Sequence, residues 1–125
     1  MRTKFITLVG LLITTFACDY DDYQEPNIDG QYIGTFERNE MISSVELNFD
    51  NGDFSGESDR TNFPAIYFGD FSVQKHTLSF DNKQTIITTE FDPNLVLNGN
   101  WNYVFEMNRL IMINSIGDTY VLTKR

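Results

Sequence analysis

Val45-Glu46-Leu47-Asn48-Phe49-Asp50, then Asn51-Gly52, then Asp53-Phe54-Ser55-Gly56, is the stretch that decides the fold. Apolar and polar residues alternate strictly from 45 to 50, the period-2 signature of a strand with one buried face. Asn51-Gly52 supplies the two positive-φ residues that a type I′ hairpin turn demands. Asp53 to Gly56 begins the return strand. The sequence predicts an antiparallel hairpin here.

The same pattern extends in both directions. Gln31 to Arg38 reads as a first strand, with Tyr32 and Phe36 on one face and Gly34 between them. Phe68 to Gln74 and His76 to Asp81 form a second hairpin around Lys75, and Gln84 to Glu90, rich in Thr and Ile, reads as another strand. Leu97-Asn98-Gly99-Asn100 is a turn region leading into Trp101 to Glu106. Arg109 to Asn114 and Asp118 to Thr123 follow, with Gly117 at the turn between them. No stretch of ten or more residues after Ala17 carries a helical apolar period. Eight or nine short strands at roughly 8–12-residue spacing predict a meandering sheet. Closing such a sheet on itself removes its unpaired edges. The expectation is an all-β, compact antiparallel up-and-down barrel of about eight strands over residues 30–125. Phe36, Phe49, Phe71, Phe80, Trp101 and Phe105 are expected to fill much of its interior.

The N-terminus reads differently. Met1-Arg2-Thr3-Lys4 is basic, and Phe5 to Ala17 is thirteen residues without a charge. A membrane-spanning helix needs about 20 apolar residues, so this run is too short to cross. It has the form of a cleaved secretory signal, ended abruptly by Asp19-Tyr20-Asp21-Asp22-Tyr23-Gln24-Glu25. Ala17 precedes Cys18, the only cysteine in the chain. A lone cysteine in an exported protein has no internal disulfide partner. The Ala17-Cys18 pair resembles a bacterial lipobox, with Thr15 where Leu is usual, and the resemblance implies lipidation at Cys18. The expected organisation is a lipoprotein signal peptide at 1–17, an acidic tether at 18–29 containing Pro26, and the barrel at 30–125.

Removing residues 1–17 from the 125 leaves 108, enough for one core. Arg2 and Lys4 leave with the signal, so Lys+Arg falls from 9 to 7 against 18 Asp+Glu, net −11. Such a balance argues against nucleic acid, or anionic lipid headgroups, held by charge.

Several segments also resemble a family. Gly30-Gln31-Tyr32-Ile33-Gly34-Thr35-Phe36-Glu37-Arg38, Phe54 to Arg60, Phe63-Pro64-Ala65, Leu97 to Tyr103 and Gly117 to Lys124 are similar to small lipocalin-like lipoproteins of the Bacteroidota type. They run in order through nearly the whole domain. The resemblance implies a lipocalin-like barrel anchored to a membrane, and no particular activity. Tyr32 stands where the first strand of lipocalins proper carries Trp. In Bacteroidota-type lipoproteins, acidic residues just after the lipidated cysteine resemble a surface-export signal. In enterobacterial sorting, Asp directly after it retains the protein at the inner membrane.

Residues that carry chemistry are sparse. His76, the only histidine, reads as an exposed turn residue, and no Gly-x-Ser-x-Gly elbow or phosphate-binding glycine loop occurs beyond the signal. With Cys18 lipidated, only carboxylates remain to join His76 at a zinc, so no metal site is expected. Asp50-Asn51-Gly52-Asp53 lacks the EF-hand order and is explained by the hairpin. Arg38, Arg60, Arg109 and Arg125 show no spacing that marks a carboxylate clamp. The expectation is a non-catalytic envelope lipoprotein without cofactor. Its place is the cell envelope, at the outer membrane and surface-exposed, anchored through Cys18. It binds a small apolar ligand or an envelope protein. The alternatives are a carboxylate-dependent hydrolase and a purely structural or inhibitor-like lipoprotein with a filled barrel.

Overall fold

A computed structural model describes residues 25–84 and 92–125. The domain is all-β: eight antiparallel strands, each paired with its sequence neighbours, close into an up-and-down barrel. They are β1 (Gly30–Arg38), β2 (Met41–Asp50), β3 (Asp53–Ser58), β4 (Tyr67–Val73), β5 (Thr77–Asn82), β6 (Gly99–Glu106), β7 (Arg109–Ile113) and β8 (Thr119–Lys124). Among the described residues, helix is confined to a single 3-10 turn at Pro93–Leu95, capped by Asp92, whose carboxylate accepts from Asn94 N. The strand expected at Gln84 to Glu90 falls mostly on 85–91, outside the described residues.

Closure comes from β1 pairing with β8, in a register that sets Phe36 opposite Tyr120 and Gly34 opposite Leu122. The deciding hairpin forms as read, with Asp50 opposite Asp53 and positive φ at Asn51 and Gly52. Two further tight turns, at Asn39-Glu40 and Met107-Asn108, also use positive φ. They lack the glycine that makes such turns visible in a sequence. Strand direction alternates, so the β1–β2, β3–β4, β5–β6 and β7–β8 connections share one end, here the upper. The other three turns, the segment entering β1 and the exit from β8 share the lower end.

The interior is filled. Phe36, Phe49, Phe80 and Trp101 are buried as expected, while Phe71 and Phe105 are only partly so. Tyr32, Phe54 and Tyr120 complete the aromatic core. Tyr120 packs on Phe36 and Trp101 at centroid separations of 5.0 and 5.2 Å, and Tyr32 packs edge-on against Phe49 at 5.5 Å. Ile28 closes the lower end, and its carbonyl accepts a 2.7 Å hydrogen bond from Tyr32 OH. The end of the expected tether therefore belongs to the core. The upper end is closed by Ile66, Leu95 and Leu97, whose loops join through a bridge between Ala65 and Val96.

Two details of this core lead to predictions. The Tyr120 and Ser43 hydroxyls are buried without a hydrogen-bond partner. An unsatisfied buried hydroxyl costs about 1–3 kcal/mol. Tyr120→Phe keeps the ring contacts and is expected to stabilise the barrel by about 1 kcal/mol, seen as a higher urea midpoint with unchanged slope. At Tyr32, burial, with Asp29 as the lesser cause, pushes the phenol up to about 12. Below pH 10 the phenol is protonated in folded and unfolded chains alike. Between pH 10 and 12 the unfolded chain ionises first and gains. Stability is expected to fall by on the order of 2 kcal/mol across that window. In Tyr32→Phe, pH-dependent urea titrations should show a shallower fall.

Candidate functional site

Among the described residues, buried aromatic and aliphatic side chains occupy the barrel interior. The large concavities of the described residues lie on the outer wall, where β1, β2 and β3 coil. One of about 430 Å³ is lined by Gln31, Asn48, Ser55, Phe68 and Arg125, among others. A neighbouring one of about 970 Å³ is lined by Ile33, Thr35, Ser44, Asp59 and Thr123, among others. Both include Glu46 and Glu57, so these two residues stand where the concavities meet.

The groove follows from strand alternation. On β1, even-numbered residues point inward, and on β2 odd ones do, so Ile33 and Glu46 meet on the outside. Register then places Glu46 directly opposite Glu57 on β3. Like charges in directly opposed positions destabilise a sheet. Neither glutamate has an ion-pair partner among the described residues. Gly56 lies between the walls, and a Cβ there would come within 2.4 Å of the Glu46 carbonyl, so a side chain is excluded. At the far side Phe68 is 48 % exposed. Beside it, Tyr67 is half-buried and donates to Asn62 Oδ1 at 2.6 Å. Two acids, an exposed aromatic edge, the amides of Gln31 and Asn48 and, at the lower end, Arg125 thus line one shallow channel. It suits an extended chain carrying a cation next to an apolar group.

Acid extends along the adjoining wall. Asp50, Asp53, Asp70 and Asp81 are successive register partners on β2, β3, β4 and β5. Lys83 reaches Asp81 at 2.7 Å and Asp70 at 3.7 Å, and Asp81 raises the Lys83 pKa. Among the described residues, no group of three or more His, Cys, Asp or Glu is placed to hold a metal ion.

At the upper end, Arg38 donates through Nε and Nη2 to the two Asp118 carboxylate oxygens at 2.7 and 2.5 Å, and through Nη1 to Asp92 at 2.8 Å. Those hydrogen bonds, that to Asp118 foremost, push the Arg38 pKa further up. The guanidinium is fully occupied and cannot clamp a ligand carboxylate. Arg60, Arg109 and Arg125 are exposed, so none serves the interior. The Asp92 carboxyl is held below its usual range, first by Asn94 N and then by Arg38. That direction is opposite to what a general acid needs.

The residues singled out from the sequence fare unequally. Cys18 lies outside the described residues. His76 is exposed on the β4–β5 turn. Trp101 is buried, with its indole N–H donating to Asn98 O at 3.1 Å, so it offers no surface. Glu46, Glu57 and Phe68 were not singled out. The strand pattern marks Glu46 and Glu57 as outward, but only register makes them neighbours. No protein-family model, curated protein or solved structure matches the chain.

Proposed function

We propose that this protein is a non-catalytic lipoprotein of the cell envelope, lipocalin-like in shape, which acts through its outer wall. Its partner is another envelope protein that places a Lys or Arg between Glu46 and Glu57. The observation that carries this reading is the filled interior beside an open groove with two uncompensated glutamates. With aromatic side chains packed through its interior, the barrel offers its surface to a partner. Two like charges held in register without a counter-ion are a cost that a cationic partner removes. The signal-like Phe5 to Ala17 run, Cys18 and the acids at 19–25 support anchorage at the outer membrane with the barrel facing outward.

Two acyl chains anchor a protein stably, at about 0.8 kcal/mol per buried CH₂. Cys18→Ser is therefore expected to move the protein from the membrane to the soluble fraction. Persistence in salt-washed membranes overturns the anchor. For the groove, the test is Glu46→Gln with Glu57→Gln. The double variant is expected to be more stable than the parent by about 0.2–1 kcal/mol, because the repulsion is gone. The same variant is expected to lose zero-length carbodiimide crosslinks from this groove to partner lysines in intact envelopes. Crosslinks that persist undiminished argue against the groove.

A further inference from the structure

Charge is unevenly distributed over the barrel ends. Lys75 lies on the β4–β5 turn, Arg109 at the start of β7, and Lys124 and Arg125 at the end of β8, all at the lower end. Backbone contacts knit these sites into one arc. Lys124 N donates to Asn108 O at 2.7 Å, and Arg125 N to Gln31 O at 2.8 Å. Tyr103 OH donates to Gln74 O at 2.7 Å, which ties the β4–β5 turn to β6. Arg109, Lys124 and Arg125 make no ion pair with another described residue. Of the described acids at this end, Asp29, Asp50 and Asp53 sit on the β1–β3 side, Glu106 stands opposite Arg109, and Glu25 lies in the entering segment near Phe71 to Val73.

Within the arc, the β6–β7 turn holds Met107 almost wholly in solvent, at 97 % exposure. A residue so exposed adds nothing to the core. Next to the tip on the outward face, Val104 is 55 % exposed and faces the half-buried Ile111. The hairpin therefore joins an apolar face and tip to a basic surround, the residue pattern of an interfacial membrane contact.

We propose that this arc, with Met107 at its tip, rests on anionic lipid headgroups and orients the barrel on the membrane. The inference rests on the Cys18 anchor proposed above. The chain enters β1 from this same lower end, and Ile28 is fixed in the core. The nine residues 19–27 reach at most about 30 Å when fully extended, so an anchored barrel keeps this end near the bilayer. Basic residues close to an anionic surface attract it weakly and over a short range. In a chain of net acidic charge that attraction does not recruit the protein, but it does orient one already tethered.

Cys18, as the only cysteine, gives the test. Residues 18–125 are coupled through it to maleimide-headgroup lipid in phosphatidylcholine vesicles, with or without phosphatidylglycerol. Hydrogen peroxide is added, and the oxidation of Met107 and Met41 is followed by peptide mass spectrometry. Met41 is half exposed and lies at the upper end, so it is the internal control. On phosphatidylglycerol vesicles Met107 is expected to oxidise severalfold more slowly than in the free protein, with Met41 unchanged. High salt, or Arg109→Gln with Arg125→Gln, should remove that protection in a barrel that circular dichroism shows to be folded. Equal Met107 rates on and off these vesicles overturn the proposal. Equal protection on pure phosphatidylcholine, or protection of Met41 instead, overturns it too. The coupling is chemical, so a failure of Cys18 to be acylated in cells refutes the anchor and leaves this result readable.

Discussion

Gly34→Ala is expected to cost on the order of 3 kcal/mol. In a strand interior alanine is ordinarily better than glycine by roughly 0.5–1 kcal/mol. Here the sign reverses because a Cβ at Gly34 would lie 1.9 Å from the Val121 carbonyl oxygen and 2.8 Å from Leu122 Cα. Both are backbone atoms of β8, and they cannot yield without opening the β1–β8 seam that closes the barrel. Gly52→Ala separates steric clash from backbone strain. Gly52 has φ of 89°, but nothing lies within 4 Å of its Cβ position. Its replacement is expected to cost only about 1–2 kcal/mol, the price of a left-handed residue. Urea unfolding of the two variants measures both. Comparable losses would mean that the seam adapts and that the close approach is not what requires glycine.

Arg38→Met is the second large effect. Asp118 is buried, and Arg38 binds both of its carboxylate oxygens. Apart from its own backbone surroundings, the other side chain near it is Asn114, whose amide lies 3.5 Å away. Removing one partner of a buried pair leaves a charge without compensation and costs about 3–5 kcal/mol. Arg38→Met is expected to fall in that range, and Arg38→Lys to recover only part, since an ammonium cannot reproduce the two-pronged contact. Adding Asp118→Leu to Arg38→Met should restore much of the loss, which a double-mutant cycle resolves. A loss below 1 kcal/mol would show that Asp118 finds compensation elsewhere.

The Arg38 cluster also shows how the upper end is built. Asp92 precedes the 3-10 turn that brings in Leu95, and Asp118 begins the return into β8. One guanidinium thus fastens two loops to the end of β1. The groove between Glu46 and Glu57 lies on the side wall, and the basic arc lies at the other end.

Local pattern by itself determined the strands and several turns, because a period of two reports which face each side chain takes and Asn51-Gly52 reports a reversal. It could also mark Tyr32 and Phe36 as sharing a face. Everything that depends on which strands meet was left to the tertiary structure. Closure through β1 and β8 brought Arg38 to Asp118, eighty positions apart. It also decided that the aromatic side chains fill the barrel rather than line a cavity. Register made neighbours of Glu46 and Glu57, and of Asp50, Asp53, Asp70 and Asp81. Ile28 followed an acidic, Pro-containing stretch with no apolar period, so its burial was invisible locally. The net charge of −9 in the full chain concealed a basic arc, because a sum carries no position. Strand alternation and the three lower turns gathered Lys75, Arg109, Lys124 and Arg125 at one end. These pairings are long-range, and their energies depend on distances that only the closed barrel sets.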